Sequence, residues 1–130
     1  MSSRESIHTE RAPAPVGGAP YSQAIVCGEL VFASGQVPLD PSTNALVAGG
    51  VAEQTEQVLR NLQAVLEAAG SGLDRALKTT VFLTDLGTFG EMNDVYGRHL
   101  TAPYPARSTI EVSALPAGAS VEIECTAVRG

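Results

Sequence analysis

Apolar and polar residues alternate at the end of the chain, in the pattern of a β-strand with one buried face. Every second residue from position 121 to position 127 is apolar: Val121, Ile123, Cys125 and Ala127. Between them stand Glu122, Glu124 and Thr126. Because successive side chains of a strand point to opposite faces, the pattern predicts a strand over 120–128 with a separate acidic face.

Further strands are predicted upstream. Two apolar runs, 22–27 and 29–36, flank Gly28 and predict a hairpin that ends before Pro38. Residues 76–84 are rich in β-branched side chains and predict a third strand, and residues 107–113 predict a fourth, followed by a turn over 116–118. The segment from Leu39 to Gly50 is predicted to be a loop.

Two stretches have helical periodicity. In the first, the apolar residues fall on one helical face: Val51, Val58, Leu59, Leu62, Val65, Leu66 and Ala69. Gly70 is placed to end that helix. Asp85 and Thr88 are candidate N-caps for the second helix, which is predicted to run to Leu100, before Pro103.

The predicted order is ββαβαββ, in a single domain over 21–130 after a mobile or extended leader over 1–20 that is polar and then rich in Pro, Ala and Gly. Two helices can cover only one face of such a sheet. The other face is predicted to carry the glutamates together with Phe32, Thr80, Phe82 and Val128. The simplest cover is another copy of the same sheet, so we expect a symmetric oligomer with pockets at its subunit contacts.

Composition and charge narrow the function classes. The net charge is -6, and Lys78 is the only lysine, so the basic patch that nucleic-acid binding requires is missing. No apolar run reaches the length of a membrane span or a signal peptide, which favours a cytoplasmic protein. Cys27 and Cys125 lie in apolar strands and are expected to be reduced thiols. His8 and His99 are too isolated to build a zinc site or a histidine-based triad, so we expect no metal and no cofactor.

Arg107 opens a predicted strand, and Glu122 follows fifteen residues later. A guanidinium can grip a carboxylate, and the pair indicates a site for a small acid. The alternative is that Arg107 caps a strand end and the glutamates are solvated.

Four short motifs resemble the Rid family of enamine/imine deaminases, also called the YjgF group. In order they are Pro20-Tyr21-Ser22-Gln23-Ala24, Ser34-Gly35-Gln36-Val37-Pro38-Leu39-Asp40-Pro41, Pro105-Ala106-Arg107-Ser108, and Val121-Glu122-Ile123-Glu124 with Ala127-Val128. The likeness spans residues 13–129. It implies a chorismate-mutase-like α+β domain, one sheet with two helices on one face, assembled as a homotrimer with ligand sites in the clefts between subunits.

The resemblance also implies a chemistry, the metal-free hydrolysis of 2-enamine or 2-imine acids such as 2-aminoacrylate to 2-oxo acids and ammonia. By the family's pattern, Arg107 would hold the substrate carboxylate and Glu122 would position and activate the attacking water. Tyr21 would form an aromatic wall of the pocket, or simply pack, and Ser34 with Gly35 would line its floor. Asn93 matches a helical asparagine that faces the cleft, its alternative being an exposed amide.

The chain departs from the family pattern at three places that we expect to border the pocket. Thr109 stands where family members often carry a cysteine, the segment 17–20 is longer than usual, and the segment between Asn93 and Arg107 is shorter. These changes raise the alternative of a pathway-specific enzyme with a reshaped pocket. A non-catalytic module that senses a 2-oxo acid is a second alternative, and Glu122 argues against it, since binding alone needs only the arginine. Ribonuclease activity is a third, and the missing basic surface argues against that.

Overall fold

The computed structural model describes residues 3–130. It contains two helices and eight strands, which in chain order are β1 (Arg4–Ile7), β2 (Ala24–Cys27), β3 (Leu30–Gln36), β4 (Leu39–Asp40), β5 (Ala45–Leu46), α1 (Val51–Ala68), β6 (Ala76–Leu83), α2 (Phe89–His99), β7 (Ala106–Glu111) and β8 (Val121–Val128). Apart from β1 and the short β4–β5 pair, the elements follow the predicted ββαβαββ order. The segment over 39–50, predicted as a loop, holds that pair.

Six strands form one mixed sheet in the order β1-β2-β3-β8-β6-β7. Neighbouring strands are antiparallel except β6 and β7, which are parallel and are connected through α2. The final strand, β8, therefore lies in the middle of the sheet, between β3 and β6. Its alternating sequence is what a strand needs when only one face enters the core.

Both helices pack on one face of the sheet, which confirms the predicted α+β class. The core between the helices and the sheet is aliphatic, and its fully buried members include Leu59, Leu62, Leu66, Val81 and Ile123. Glu56 on α1 accepts a 2.8 Å hydrogen bond from His99 at the end of α2, if that imidazole nitrogen is protonated. That contact and the Arg60 donor beside it hold the pKa of Glu56 below its ordinary value.

The second face of the sheet is covered by neither helix. Strand register places Leu30 and Phe32 of β3 on this face, level with Val128 and Thr126 of β8. Phe32 is 47% exposed and Ile110 of β7 is 44% exposed. The prediction of an apolar and acidic face left open by the helices is therefore confirmed, and we call it the open face.

The prediction that residues 1–20 form a leader outside the domain is wrong for residues 4–7. Strand β1 pairs with β2 from Arg4 opposite Cys27 to Ile7 opposite Ala24. The buried amide of Gln23 then fastens the following segment, accepting from Thr9 N at 2.7 Å and donating to Pro13 O at 2.9 Å. A short edge strand is held by backbone hydrogen bonds and needs no apolar alternation, so its sequence gave no strand signal. Residues 1 and 2 of the predicted leader lie outside the described residues.

Both cysteines are free thiols, Cys27 on the open face and Cys125 on the helix-covered face. Burial raises the pKa of the Cys125 thiol to about 12, so that thiol stays protonated. Across residues 3–130, neither helix combines the length and the apolar character needed to cross a membrane.

Candidate active site in two halves

Arg107 and Glu122 lie on opposite faces of the sheet. Arg107 of β7 stands beside Thr79 of β6, on the face that the helices cover. Glu122 of β8 stands beside Phe82 of β6, on the open face. Because side chains alternate along β6, these two neighbours, three residues apart, point in opposite directions. One chain therefore does not bring the two predicted catalytic side chains together.

The arginine half of the site lies at the end of α2. The guanidinium carbon of Arg107 is 4.8 Å from the ring centre of Tyr96 and 5.4 Å from that of Phe89. Within residues 3–130 no carboxylate forms an ion pair with this guanidinium. A cavity of about 250 Å³ opens here, lined by Asn93, Tyr96, Gly97, Tyr104, Pro105 and Arg107. We call it the arginine half-site.

Two polar atoms near the arginine half-site have unused hydrogen-bonding capacity. Asn93 Oδ1 and Thr109 Oγ1 are buried and have no partner among the described residues. Asn93 lines the cavity, whereas Thr109 is half-buried on the same face of β7 and does not line it. The described residues therefore leave the hydrogen-bonding capacity of both atoms unmet, although both are shielded from solvent.

The glutamate half of the site lies on the open face and holds the remaining predicted residues. A cavity of about 510 Å³ is lined by Val16, Ala19, Tyr21, Ser34, Gly35, Val37, Pro116, Glu122 and Glu124. We call it the glutamate half-site. Its walls are largely aliphatic, and the sheet contributes three polar side chains to it, Ser34, Glu122 and Glu124. Sequence reasoning missed the walls formed by Val16, Ala19 and Pro116, which belong to irregular segments without periodicity.

Hydrogen bonds fix two of these side chains. The hydroxyl oxygen of Tyr21 accepts from Val16 N at 2.8 Å, so the hydroxyl proton remains free to donate into the cavity. Ser34 Oγ donates to Ser22 O at 2.6 Å, which leaves the lone pairs of that hydroxyl free to accept. The pocket therefore offers one donor and one acceptor whose positions are set by the backbone.

Glu122 is half-buried, and its environment favours the protonated form. Burial raises the pKa of its carboxyl above the ordinary value, and the negative charge of Glu124 raises it further. A carboxyl with a raised pKa accepts a proton near neutral pH more readily than an exposed one does and returns it as an acid. This is the property that general acid–base catalysis requires.

Other parts of residues 3–130 offer less for chemistry than these two half-sites. Among the described residues, no three His, Cys, Asp or Glu side chains gather in a group that could hold a metal ion. A groove of about 840 Å³ on the outer helical surface is lined by charged side chains that include Arg11, Arg60 and Glu67, but it contains none of the predicted site residues. Arg11 and Arg60 already pair with glutamates there.

Residues 3–130 thus form a two-layer α+β domain with Arg107, which has no ion pair among them, on one sheet face and the Glu122 carboxyl of raised pKa on the other. Comparison with known proteins identifies the class: residues 9–129 match the family described as Endoribonuclease L-PSP, so the chain belongs to the YjgF/RidA family. The resemblance seen in the four motifs is confirmed.

Relatives match along nearly the whole chain. Protein DfrA of Myxococcus xanthus is 50% identical over 127 residues, covering 96% of this chain and 95% of that protein. The 2-iminobutanoate/2-iminopropanoate deaminase of Mus musculus is 46% identical over 127 residues, covering 98% of this chain and 93% of that protein. The crystal structure of RidA from the Antarctic bacterium Psychrobacter sp. PAMC 21119 superposes with a TM-score of 0.91 at 45% identity, covering 95% of this chain and 98% of that one.

Proposed function

We propose that this protein is a homotrimeric hydrolase that converts 2-enamine and 2-imine acids to 2-oxo acids and ammonia. The observation that carries the proposal is the complementarity of the two half-sites, one with a guanidinium free of any ion pair within residues 3–130 and one with a carboxyl of raised pKa. The name of the mouse relative, at 46% identity, supports the same substrate class.

A second copy of the chain would complete the site. Since Arg107 and Glu122 point away from each other across one sheet, a single substrate can touch both only if they come from different subunits. The open face offers the surface for that contact, with Leu30, Phe32 and Ile110 each more than a third exposed. Burying these side chains between copies is favourable at about 25 cal/mol per Å² of apolar surface. A closed ring of three copies would form three equivalent clefts.

Arg107 would bind the substrate carboxylate. Its guanidinium presents parallel N–H donors that match the two oxygens of a planar carboxylate, and none of these donors is used by a carboxylate of residues 3–130. Asn93 would add an amide to the same half-site, next to the bound anion. Thr109, two residues along β7 on the same face, does not line the cavity and would act on it only through packing.

Glu122 would activate the water. The carboxylate would accept a proton as a water oxygen attacks C2 of the protonated imine, giving a carbinolamine with a neutral amino group. It would then return that proton to the amino nitrogen, and the C–N bond would break with loss of ammonia. The regenerated carboxylate would take the remaining hydroxyl proton as the carbonyl of the 2-oxo acid forms, and would release it to ammonia or solvent. An enamine substrate would first accept a proton at C3 from the acid form of Glu122, which converts it to the protonated imine. Tyr21, Ser34 and Gly35 would hold the reacting carbon and the water over this carboxyl.

The experiment generates 2-aminoacrylate and its larger homologues in situ with a pyridoxal-phosphate dehydratase and times 2-oxo acid release with and without this protein. Glu122→Gln is compared with Glu124→Gln, its neighbour on the same strand face. We expect Glu122→Gln to lose about 10²- to 10⁴-fold in turnover, because an amide cannot accept the proton, and Glu124→Gln to retain most activity.

Two outcomes would contradict the proposal. If wild-type protein does not accelerate 2-oxo acid release from any imine tested, the chain is not a deaminase of this class, and measurable binding of a 2-oxo acid would then favour a metabolite-binding trimer. If Glu122→Gln turns over within a few-fold of wild type, Glu122 is not the acid–base group.

A further inference from the structure

We infer that Phe89 and Tyr96 of α2 are positioning residues that hold the Arg107 guanidinium ready for a carboxylate without using its hydrogen-bond donors. This inference rests on the proposed carboxylate-binding role of Arg107. The two rings lie within the distance at which a cation is attracted to an aromatic face, which is about 6 Å from the ring centre. Together with Arg107 we call them the aromatic clamp.

Phe89 and Tyr96 are seven residues apart on α2, which is two helical turns, so they share one face of that helix. The connection from β6 through α2 to β7 places this face over the arginine half-site. The guanidinium of Arg107 thus contacts two rings at different points along the helix. A flat cation held at two points loses rotational freedom in the free protein, so less freedom remains to be lost when a ligand binds.

Tyr96 is itself held in place by a buried hydrogen bond. Its hydroxyl shares a 2.7 Å hydrogen bond with Thr79 Oγ1, and the two residues are only 6% and 1% exposed. Thr79 is the strand neighbour of Arg107 in the β6–β7 pair. The ring therefore cannot turn away from the guanidinium without leaving a buried hydroxyl pair unsatisfied.

Aromatic rings can orient the Arg107 guanidinium without occupying its N–H donors, which an ion pair would do. A glutamate or aspartate beside Arg107 would also orient the guanidinium, but it would occupy the N–H donors and compete with the substrate carboxylate. A ring attracts the cation through its face and leaves the in-plane N–H donors open. The absence of a carboxylate partner for Arg107 within residues 3–130 fits this arrangement.

The test compares substitutions at Phe89. Phe89→Leu keeps apolar volume but removes the ring, Phe89→Trp keeps an aromatic face, and Leu86→Ala is the control, since Leu86 is exposed just before α2 and forms no cation contact. We expect Phe89→Leu to weaken 2-oxobutanoate binding, measured by calorimetry, about 5- to 30-fold, with a matching rise in KM and little change in kcat, because the water-activating group lies in the other half-site. Phe89→Trp should bind within about threefold of wild type, as should Leu86→Ala.

A spectroscopic signature tests the geometry without any turnover. The protein has no tryptophan, so Phe89→Trp introduces a single indole beside Arg107. Its emission should change as 2-oxobutanoate saturates the site, and this response should vanish when Arg107→Ala is added.

The outcomes separate the two proposals. If wild type binds 2-oxobutanoate and Phe89→Leu, with its circular dichroism unchanged, binds equally well, the aromatic clamp is wrong while the proposed function stands. The aromatic clamp is also wrong if the Phe89→Trp protein binds 2-oxobutanoate without any change in its emission. This second result decides the question if the Phe89→Leu protein does not fold. If wild type binds no 2-oxo acid, both proposals fail; if wild type binds it but hydrolyses no imine, only the deaminase proposal fails.

Discussion

Gly35 lies directly against the side chain of Glu122, and a Cβ atom on that glycine would stand 2.9 Å from Glu122 Cδ and closer still to its carboxylate oxygen. The strand pairing explains the approach. The register between β3 and β8 shifts between Ala33 and Gln36, so Gly35 sits in a bulge that turns the backbone toward Glu122. The carboxylate of Glu122 thus occupies the space that a side chain at position 35 would fill.

Gly35→Ala should therefore damage activity much more than stability. The atoms displaced by the new Cβ belong to the end of a flexible side chain, so they can move at little cost to the fold. A displacement of the acid–base group by about 1 Å lowers turnover by about 10²-fold. We expect kcat to fall by roughly that factor while the melting temperature changes little.

Gly90→Ala is the matched control for this prediction. Gly90 lies within α2, and a Cβ there meets no atom within 4 Å. We expect it to retain activity and to gain about 0.5–1 kcal/mol in unfolding free energy, because alanine favours the helix. Equal loss of activity in both variants would show that Gly35 is not a special site.

The raised pKa of Glu122 predicts the acid limb of the pH–rate profile. The proposed base works when ionised, so kcat/KM should fall with decreasing pH at a value above the ordinary 4.5 of a glutamate. Glu124→Gln should move this limb to lower pH, since the neighbouring charge is the second cause of the shift. A limb at or below 4.5, or one unchanged by Glu124→Gln, contradicts this assignment.

The same shift has a consequence for stability. Because the folded-state pKa lies above the unfolded value, Glu122 favours folding fully only below the unfolded pKa, and that contribution is lost as pH rises through the folded pKa. Glu122→Gln should therefore melt at a higher temperature than wild type at pH 7, and this difference should disappear below about pH 4. Thermal melts at the two pH values measure it.

Arg107→Lys tests whether the cation acts as a fork or as a point charge. Lysine keeps the charge but loses the parallel donors that align a carboxylate. Loss of one charged hydrogen bond costs about 1.5–3 kcal/mol, which is about one to two orders of magnitude in affinity for a 2-oxo acid. A variant that matches wild type in both kcat/KM and 2-oxo acid affinity would make Arg107 a structural cation.

The family's description raises the question of RNA cleavage. We expect none above the level of a mock purification, and RNA binding that is weak and falls steeply with salt, because the protein has net charge -6 and a single lysine. Labelled RNA followed across a salt series measures both. Cleavage that survives several columns and vanishes in Arg107→Ala would overturn this expectation.

Local pattern was sufficient to predict most of the fold. Alternation over 121–128 gave β8, and apolar spacing from Val51 gave α1, since each buries only one face. Strand β1 was missed because an edge strand such as Arg4–Ile7 is held by backbone bonds that leave no mark on its side chains.

The candidate site was less predictable because it depends on how distant strands align. Parity within β8 puts Glu122 and Glu124 on one face, but no sequence pattern relates that face to the side of β7 on which Arg107 lies. Only the order β8-β6-β7 and its register set the two side chains on opposite faces. In the sequence, the aromatic clamp is marked only by the seven-residue spacing of Phe89 and Tyr96, and that spacing fits ordinary helix packing equally well.

The central claim is that Arg107 of one subunit works with Glu122 of another, and mixed oligomers test it directly. Arg107→Ala and Glu122→Gln chains carrying different affinity tags are co-expressed, and assemblies containing both are isolated by tandem purification. Each parent should be nearly inactive, whereas every mixed trimer should contain one cleft with both native side chains and so recover about one third of wild-type activity. Mixed assemblies that remain as inactive as their parents would contradict the claim.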